Sequence, residues 1–458
     1  MNKTTYIKNA KIVTPNGLIS GSVLLENGII KNIGEVEVPE NAHIIDAFNQ
    51  YLLPGGIDAH VHFDLQTKNG RTADDFESGS LAALAGGTTT IIDFISPEKN
   101  QDLQDAFNLR VKDIQDIYTN YSFHQSITHW DKNTAKQMEE AVKYQSITSF
   151  KTYLTYSSTI GIDLGILEKV MNKSAELNTI VLVHAEDGDL NNRLSEDFKL
   201  SPRSPGYIHK KTHPVKSEVQ AIKNVIELVK KTACKTYIVH VSTEEGIEAI
   251  IEAKNAGLPI YAETCPQYFC LHDQVYAKKG RNSIENIMSP PLRDRPQQQA
   301  ILQYLALEKF DCISTDHCSF MWKDKYHPSK SYFDIPQGIG GVQYRILLSH
   351  RHLISTGMAN WSDFAKLIAG NPAEIFGLKN KGKIEVGYDA DLVLLEETLD
   401  RTKIDNLKNY SKSDINVFAK QGILSRINYV IKGGEIVVEK GELKENITQG
   451  KFIQRKTS

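Results

Sequence analysis

Cysteine is scarce in this chain, with five in 458 residues: Cys234, Cys265, Cys270, Cys312 and Cys318. No two stand in a CxxC spacing, and one is odd, so the pattern suits a reducing cytosol better than a disulfide framework. Long apolar runs are missing as well. No stretch approaches the roughly 20 apolar residues that span a bilayer. Residues 1–17 lack the apolar core of a secretory signal, and a cytoplasmic protein without membrane contact is expected. Nor does either sign of charge dominate. Lys and Arg number 53 against 56 Asp and Glu, a net charge of -3, which leaves no electrostatic footprint for nucleic acid. What is present is ordinary globular composition, 40% hydrophobic and 24% charged. The length exceeds one small core and points to a large domain with a smaller companion.

The two ends of the chain read as strands and turns. Val23-Leu24-Leu25, Asn27-Gly28 and Ile29-Ile30 form a hairpin signal, because Asn-Gly supplies the positive φ angles of a type I′ turn. Similar chemistry returns at Asp391–Leu395 and Tyr429–Gly434. The ends are therefore expected to pair into one small β-sandwich domain, 1–52 with 380–458. The middle, 53–379, has another rhythm. Short β-rich runs recur at 56–62, 88–94, 121–128, 149–153, 179–185, 236–242, 259–265 and 310–317, with helix-like stretches such as 74–85, 215–230, 244–256 and 297–307 between them. Eight strands alternating with helices predict an α/β fold, a parallel (β/α)8 TIM-like barrel. A doubly wound open sheet fits the alternation nearly as well, and the position of the polar residues decides between them.

In such barrels the chemistry sits at the C-terminal ends of the strands. The first strand ends in His60-Val61-His62, and residues two apart on a strand share a face. The fourth strand supplies Lys151, the fifth ends in His184, the sixth in His240 and the eighth in Asp316. Taken singly, each is an unremarkable core or surface residue, and a lone HxH is weak evidence. Together they predict a two-metal site. Four imidazoles with oxygen ligands suit Zn²⁺ first, with Mn²⁺, Fe²⁺ or Co²⁺ as alternatives. An ammonium at Lys151 is repelled by divalent cations. Carbamylation by CO₂ turns it into an anion able to bridge two ions and, with Asp316 and a bridging hydroxide, to offset most of their charge.

These motifs carry a resemblance. The stretches Leu53–His62, Ala85–Thr89, Val183–Glu186, Ile238–Thr243, Glu263–Tyr268, Ser289–Arg293 and Ser314–Cys318 resemble the hydantoinase/dihydropyrimidinase branch of the amidohydrolase superfamily over essentially the full length. The resemblance implies a metal-dependent cyclic amidohydrolase that opens a dihydropyrimidine or 5-substituted hydantoin to an N-carbamoyl amino acid. By it, His60, His62 and Asp316 hold one metal, His184 and His240 the other, and carboxylated Lys151 bridges both. Tyr156, five residues after that lysine, would hydrogen-bond the substrate carbonyl, and Asp316 would shuttle the proton. Main-chain atoms around Ser289 and Gln337 would hold the ring amides. Gln337 stands where the family usually has Asn. A homotetramer is implied in the same way.

Dihydroorotases usually place an Arg two residues after the second His, and allantoinases an Asn. Asp64 stands there, which disfavours both readings. Non-catalytic relatives of the same fold have lost metal ligands, whereas all six are present here. Lys68 and Arg71, in the loop after the first strand, suggest tolerance of a polar or anionic ring substituent. His124 and His129 are read as structural. His209, His213, His327, His350 and His352 lie in polar stretches and are expected to be solvated. Cys265, Cys312 and Cys318 are read as packing residues.

Overall fold

The computed structural model describes residues 4–156, 159–277, 280–327 and 331–457. Eight parallel strands form its centre: Gly56–Val61, Thr88–Ile95, Asn120–Ser126, Ser149–Tyr153, Ile180–His184, Lys235–Ile238, Ile260–Thr264 and Cys312–Ile313. Each pairs with its sequence neighbour. The ring closes between the first and last strands, where Val61 bridges His317 and His62 N donates to His317 O at 2.8 Å. The barrel, rather than the open sheet, is the architecture.

Alternation along each strand sorts side chains into two layers. Val181 and Val183 pack outward with the helices, while Ile180 and Leu182 join Ile92, Phe94, Tyr237 and Phe376 inside. The helices begin where the sequence supplies caps. Asp75, Asp102, Asp163, Asp187 and Asp294 each accept a backbone N–H from the first turn that follows, worth about 1 kcal/mol apiece. The helix Val215–Thr232 buries Ala221, Ile222, Val225, Ile226 and Val229, the one-sided spacing that commits a helix to a core. Gly86 and Gly87 make the turn from the helix Phe76–Ala85 into the second strand. A Cβ on Gly86 would collide with Gln343 O, and Gly87 has φ 81°, open to glycine at little cost.

The chain ends pair as the alternating β patterns at the termini predict. They form one nine-stranded sheet in which Tyr51–Pro54 lies between Thr4–Thr14 and Leu392–Lys403. It encloses its own apolar cluster, including Ile7, Ile12, Val23, Ile45, Leu392 and Ile431. The last residues leave this sheet for the barrel, where Ile453 N donates to Tyr121 O at 2.7 Å. No helix among the described residues is long and apolar enough to cross a membrane.

Candidate active site

The strand ends bring the six sequence-predicted ligand residues into one mouth. His60 and His62 lie at the end of the first strand, and both Nε2 atoms face Asp316 Oδ1, at 3.2 and 3.1 Å. Ligand atoms of these three residues all fall within 4.8 Å of one another, the one such group among the described residues. His60 and His240 follow with ring centres 5.5 Å apart, then His240 and His184 at 4.5 Å, then His184 and Tyr156 at 5.5 Å. His240 Nε2 and His184 Nδ1 face each other at 2.9 Å. Lys151 stands among them, fully buried, with Nζ 5.4 Å from the Phe94 ring centre and 5.1 Å from that of Tyr153.

The backbone is bent to achieve this. Tyr156, His240 and Asp316 have φ of 61°, 42° and 52°, the left-handed region that costs a non-glycine residue about 1–3 kcal/mol. Three of the six candidate ligand residues, His60, His240 and His184, are held from behind by two carboxylates to which the sequence reading gave no role. Glu263 bonds His60 Nδ1 and also accepts from His240 N at 3.1 Å and Tyr237 Oη at 2.9 Å. Glu186 takes His184 Nε2 at 2.8 Å. With one ring nitrogen fixed in this way, the other is aimed into the site. The available signal was a single acid inside otherwise apolar strand chemistry, as in Tyr261-Ala262-Glu263.

Electrostatics follow from burial and neighbours. Burial pulls the Lys151 ammonium down to about 7, only partly opposed by Glu263 and Asp316. Desolvation works against charge on His60 too, yet Glu263 and Asp316 outweigh it and lift the imidazole to about 9. Burial lowers His62, His184 and His240. It pushes the Tyr156 phenol well above its usual range, so this hydroxyl stays a donor. Lys151 Nζ and His62 Nδ1 are buried without hydrogen-bond partners. Such orphaned donors and facing lone pairs, with a carboxylate beside them, form a set that fits divalent cations.

Ser289 and Gln337 are brought together as well. Ser289 Oγ donates to Gln337 Oε1, and Gly338 N donates to Ile287 O at 3.0 Å. The rim departs from expectation. Arg71 does not present a free charge, because its Nε bonds Asp64 Oδ1 at 2.7 Å. Lys68 sits on the exposed turn of the small hairpin. Three histidines expected in solvent are buried instead: His209, His213 and His350. Their polar neighbours were misleading, since each imidazole has its own internal partner: Met288 O, Glu186 and Glu397. His327 is exposed and His352 half-buried. Cys265, Cys312 and Cys318 are buried thiols.

Residues 51–437 match the amidohydrolase family model. The D-hydantoinase of Geobacillus stearothermophilus is 31% identical over 99% of this chain and 96% of its own length. The dihydropyrimidinase of Dictyostelium discoideum is 30% identical over 99% and 91%. Among solved structures, the D-hydantoinase (dihydropyrimidinase) from Thermus sp. superposes with a TM-score of 0.94 at 30% identity, covering 98% of this chain and 99% of the other. With its barrel, its strand-end histidines and these relatives, the chain belongs to the amidohydrolase family, in the group of the D-hydantoinases and dihydropyrimidinases.

Proposed function

We propose that this chain hydrolyses the cyclic amide bond of a dihydropyrimidine or 5-substituted hydantoin, giving an N-carbamoyl amino acid. The observation that carries the reading is the convergence of four imidazoles, Asp316 and unpartnered Lys151 at the strand ends. His60, His62 and Asp316 would hold one divalent cation, and His184 and His240 a second. Zn²⁺ is the first choice for this donor set. Lys151 would bridge the two as a carbamate: the neutral amine attacks CO₂, the N–C bond forms and the amine proton is lost. Its burial and lack of a partner support that fate. When bound, such cations supply Lewis acidity and lower the pKa of water.

The chain's own groups do the rest. Tyr156 donates its phenolic hydrogen to the carbonyl oxygen as negative charge develops there. Asp316 accepts the proton of the attacking water and returns it to the ring nitrogen as the C–N bond breaks, the double duty of a general acid and base. Main-chain groups around Ser289 and Gln337 hold the ring amides and make no demand on side-chain identity. Asp64, placed at the rim with Arg71, disfavours an anionic ring such as dihydroorotate. A homotetramer in the cytoplasm is part of the same proposal.

The test is a turnover screen across dihydrouracil, 5-substituted hydantoins, allantoin and dihydroorotate. Ring opening of one or both of the first two classes is expected, with allantoin and dihydroorotate slow. Preference for either of the latter overturns the substrate assignment.

A further inference from the structure

Two segments that the proposed function assigns to the substrate, the stretch ending in Ser289 and the one leading to Gln337, are joined from beneath by a buried imidazole. His209 lies on the helix Pro205–Thr212 with no exposed surface. Its Nε2 meets Met288 O at 2.7 Å, one residue before Ser289. Its Nδ1 meets Tyr332 Oη at 2.8 Å, in the short 3-10 turn Tyr332–Asp334 that precedes Ile335-Pro336-Gln337. A carbonyl can only accept, so Nε2 carries the hydrogen and Nδ1 accepts from the tyrosine hydroxyl. The tautomer is fixed by the two partners. Burial drives the imidazole's pKa well below the usual histidine range, which keeps it neutral and both bonds intact.

A second buried group works on the same stretch. Lys325 donates to Glu285 O at 3.1 Å and Ile287 O at 2.8 Å, and Ile287 O also receives Gly338 N at 3.0 Å. Three carbonyls just before Ser289, those of Glu285, Ile287 and Met288, are thus held by buried side chains, and the Gln337 segment is tied to them through Gly338 N. The same helix ends at His213, whose Nδ1 is 2.9 Å from Glu186 Oε1, the carboxylate behind His184. One short helix therefore braces both the substrate backbone and a metal-side carboxylate.

We infer that His209 is a positioning residue for substrate: it sets the spacing between the Ser289 and Gln337 main chains and so governs ring binding, without touching the ring. The inference rests on the proposed function, since those two segments are its substrate contacts. Backbone recognition has no side chain of its own to tune, so its geometry must be set by whatever holds the two loops. An imidazole with both nitrogens committed is a rigid spacer between them.

The test uses the metal-loaded full chain with dihydrouracil and hydantoin. In His209→Ala, KM is expected to rise about tenfold with kcat within roughly threefold of the parent, the pattern of lost binding in ground and transition states alike. Metal content stays at the parent value. Tyr332→Phe leaves the imidazole in place, removes its Nδ1 partner together with that hydroxyl's contact to Thr212 Oγ1 at 3.1 Å, and gives a smaller KM increase, so it decides the matter should His209→Ala fail to fold. Hydrogen exchange at the backbone of 288–292 and 335–339 rises in both variants. An unchanged KM in a folded, metal-loaded variant overturns the role of His209 while the proposed function stands. A parent that opens neither ring overturns the proposed function and this inference with it.

Discussion

Lys151 is where the electrostatics of this molecule are least ordinary. A lysine with no exposed surface and no hydrogen-bond partner is costly as a cation. At neutral pH its amine is substantially uncharged, with burial pulling it to about 7. Lys151→Ala is expected to purify nearly free of divalent metal and inactive. A short carboxylic acid such as propionate should restore part of both, since it can occupy the place of the carbamate. Retention of metal without the lysine would rule out a bridging role. Tyr156 provides a separate test at the same scale. Its phenol is held protonated by burial, so Tyr156→Phe should lower kcat about 100- to 1000-fold with metal content unchanged. A loss under tenfold would remove Tyr156 from the stabilisation of the oxyanion. At this scale the six candidate ligand residues could be picked out together from sequence because each sets an ionisable group at or near the end of a strand pattern. Glu263 and Glu186 were not assigned, because the rings they hold lie on another strand or across a turn, and a lone acid at or just past a strand names no partner.

The first and last barrel strands illustrate what element-level packing adds to those residues. Asp58 lies inside the barrel and accepts from His60 N at 3.2 Å, Thr315 N at 3.2 Å and Thr315 Oγ1 at 2.7 Å. It therefore fixes the backbone beside two candidate ligands, His60 and Asp316. Its counter-charge is Arg345, fully buried, with Nε 3.7 Å from Asp58 Oδ2. Asp58→Ala leaves that guanidinium without its carboxylate and should cost about 3–5 kcal/mol, measured by urea unfolding. A cost below about 1 kcal/mol, within the range of a surface pair, would show that Arg345 is satisfied by Ile313 O, Ile368 O and Thr88 Oγ1 alone. The eight strands were legible because each short β-rich run is bounded by helical chemistry. Their ends were less so. The sixth and eighth strands stop at Ile238 and Ile313, ahead of the 242 and 317 that composition alone predicts. The left-handed residues His240 and Asp316 interrupt the ladder there, and nothing in side-chain type announces a positive φ at His or Asp.

At the scale of the whole molecule, parts of the chain far apart in sequence are tied together by buried hydrogen bonds. Asp74, just before the first barrel helix Phe76–Ala85, gathers four of them near the site. It accepts from His317 Nε2 at 3.0 Å, Ser319 Oγ at 2.7 Å, Ser411 Oγ at 2.5 Å and Lys412 N at 2.7 Å. Burial pushes its pKa up, but His317 and these donors outweigh it and hold the carboxyl well below its ordinary range. The folded pKa is depressed, so the stabilisation is complete above the unfolded value of about 4 and is lost as pH falls below it. Asp74→Asn should be less stable than the parent at pH 7, and the gap in unfolding free energy should narrow between about pH 4 and pH 2. A gap independent of pH would contradict the linkage. The pairing of the chain ends was legible as matching β patterns, whereas contacts such as Asp74 with Ser411 have a separation of 337 residues and no local signal. The central claim is that divalent cations on these six residues make the chain a ring-opening hydrolase, and metal content against turnover of dihydrouracil and hydantoin tests it most directly. The purified chain should carry about two divalent ions, lose both metal and ring opening on chelation, and regain activity when Zn²⁺ and bicarbonate are returned. Undiminished ring opening by metal-free protein, or a metal-loaded chain that opens neither ring, would contradict it.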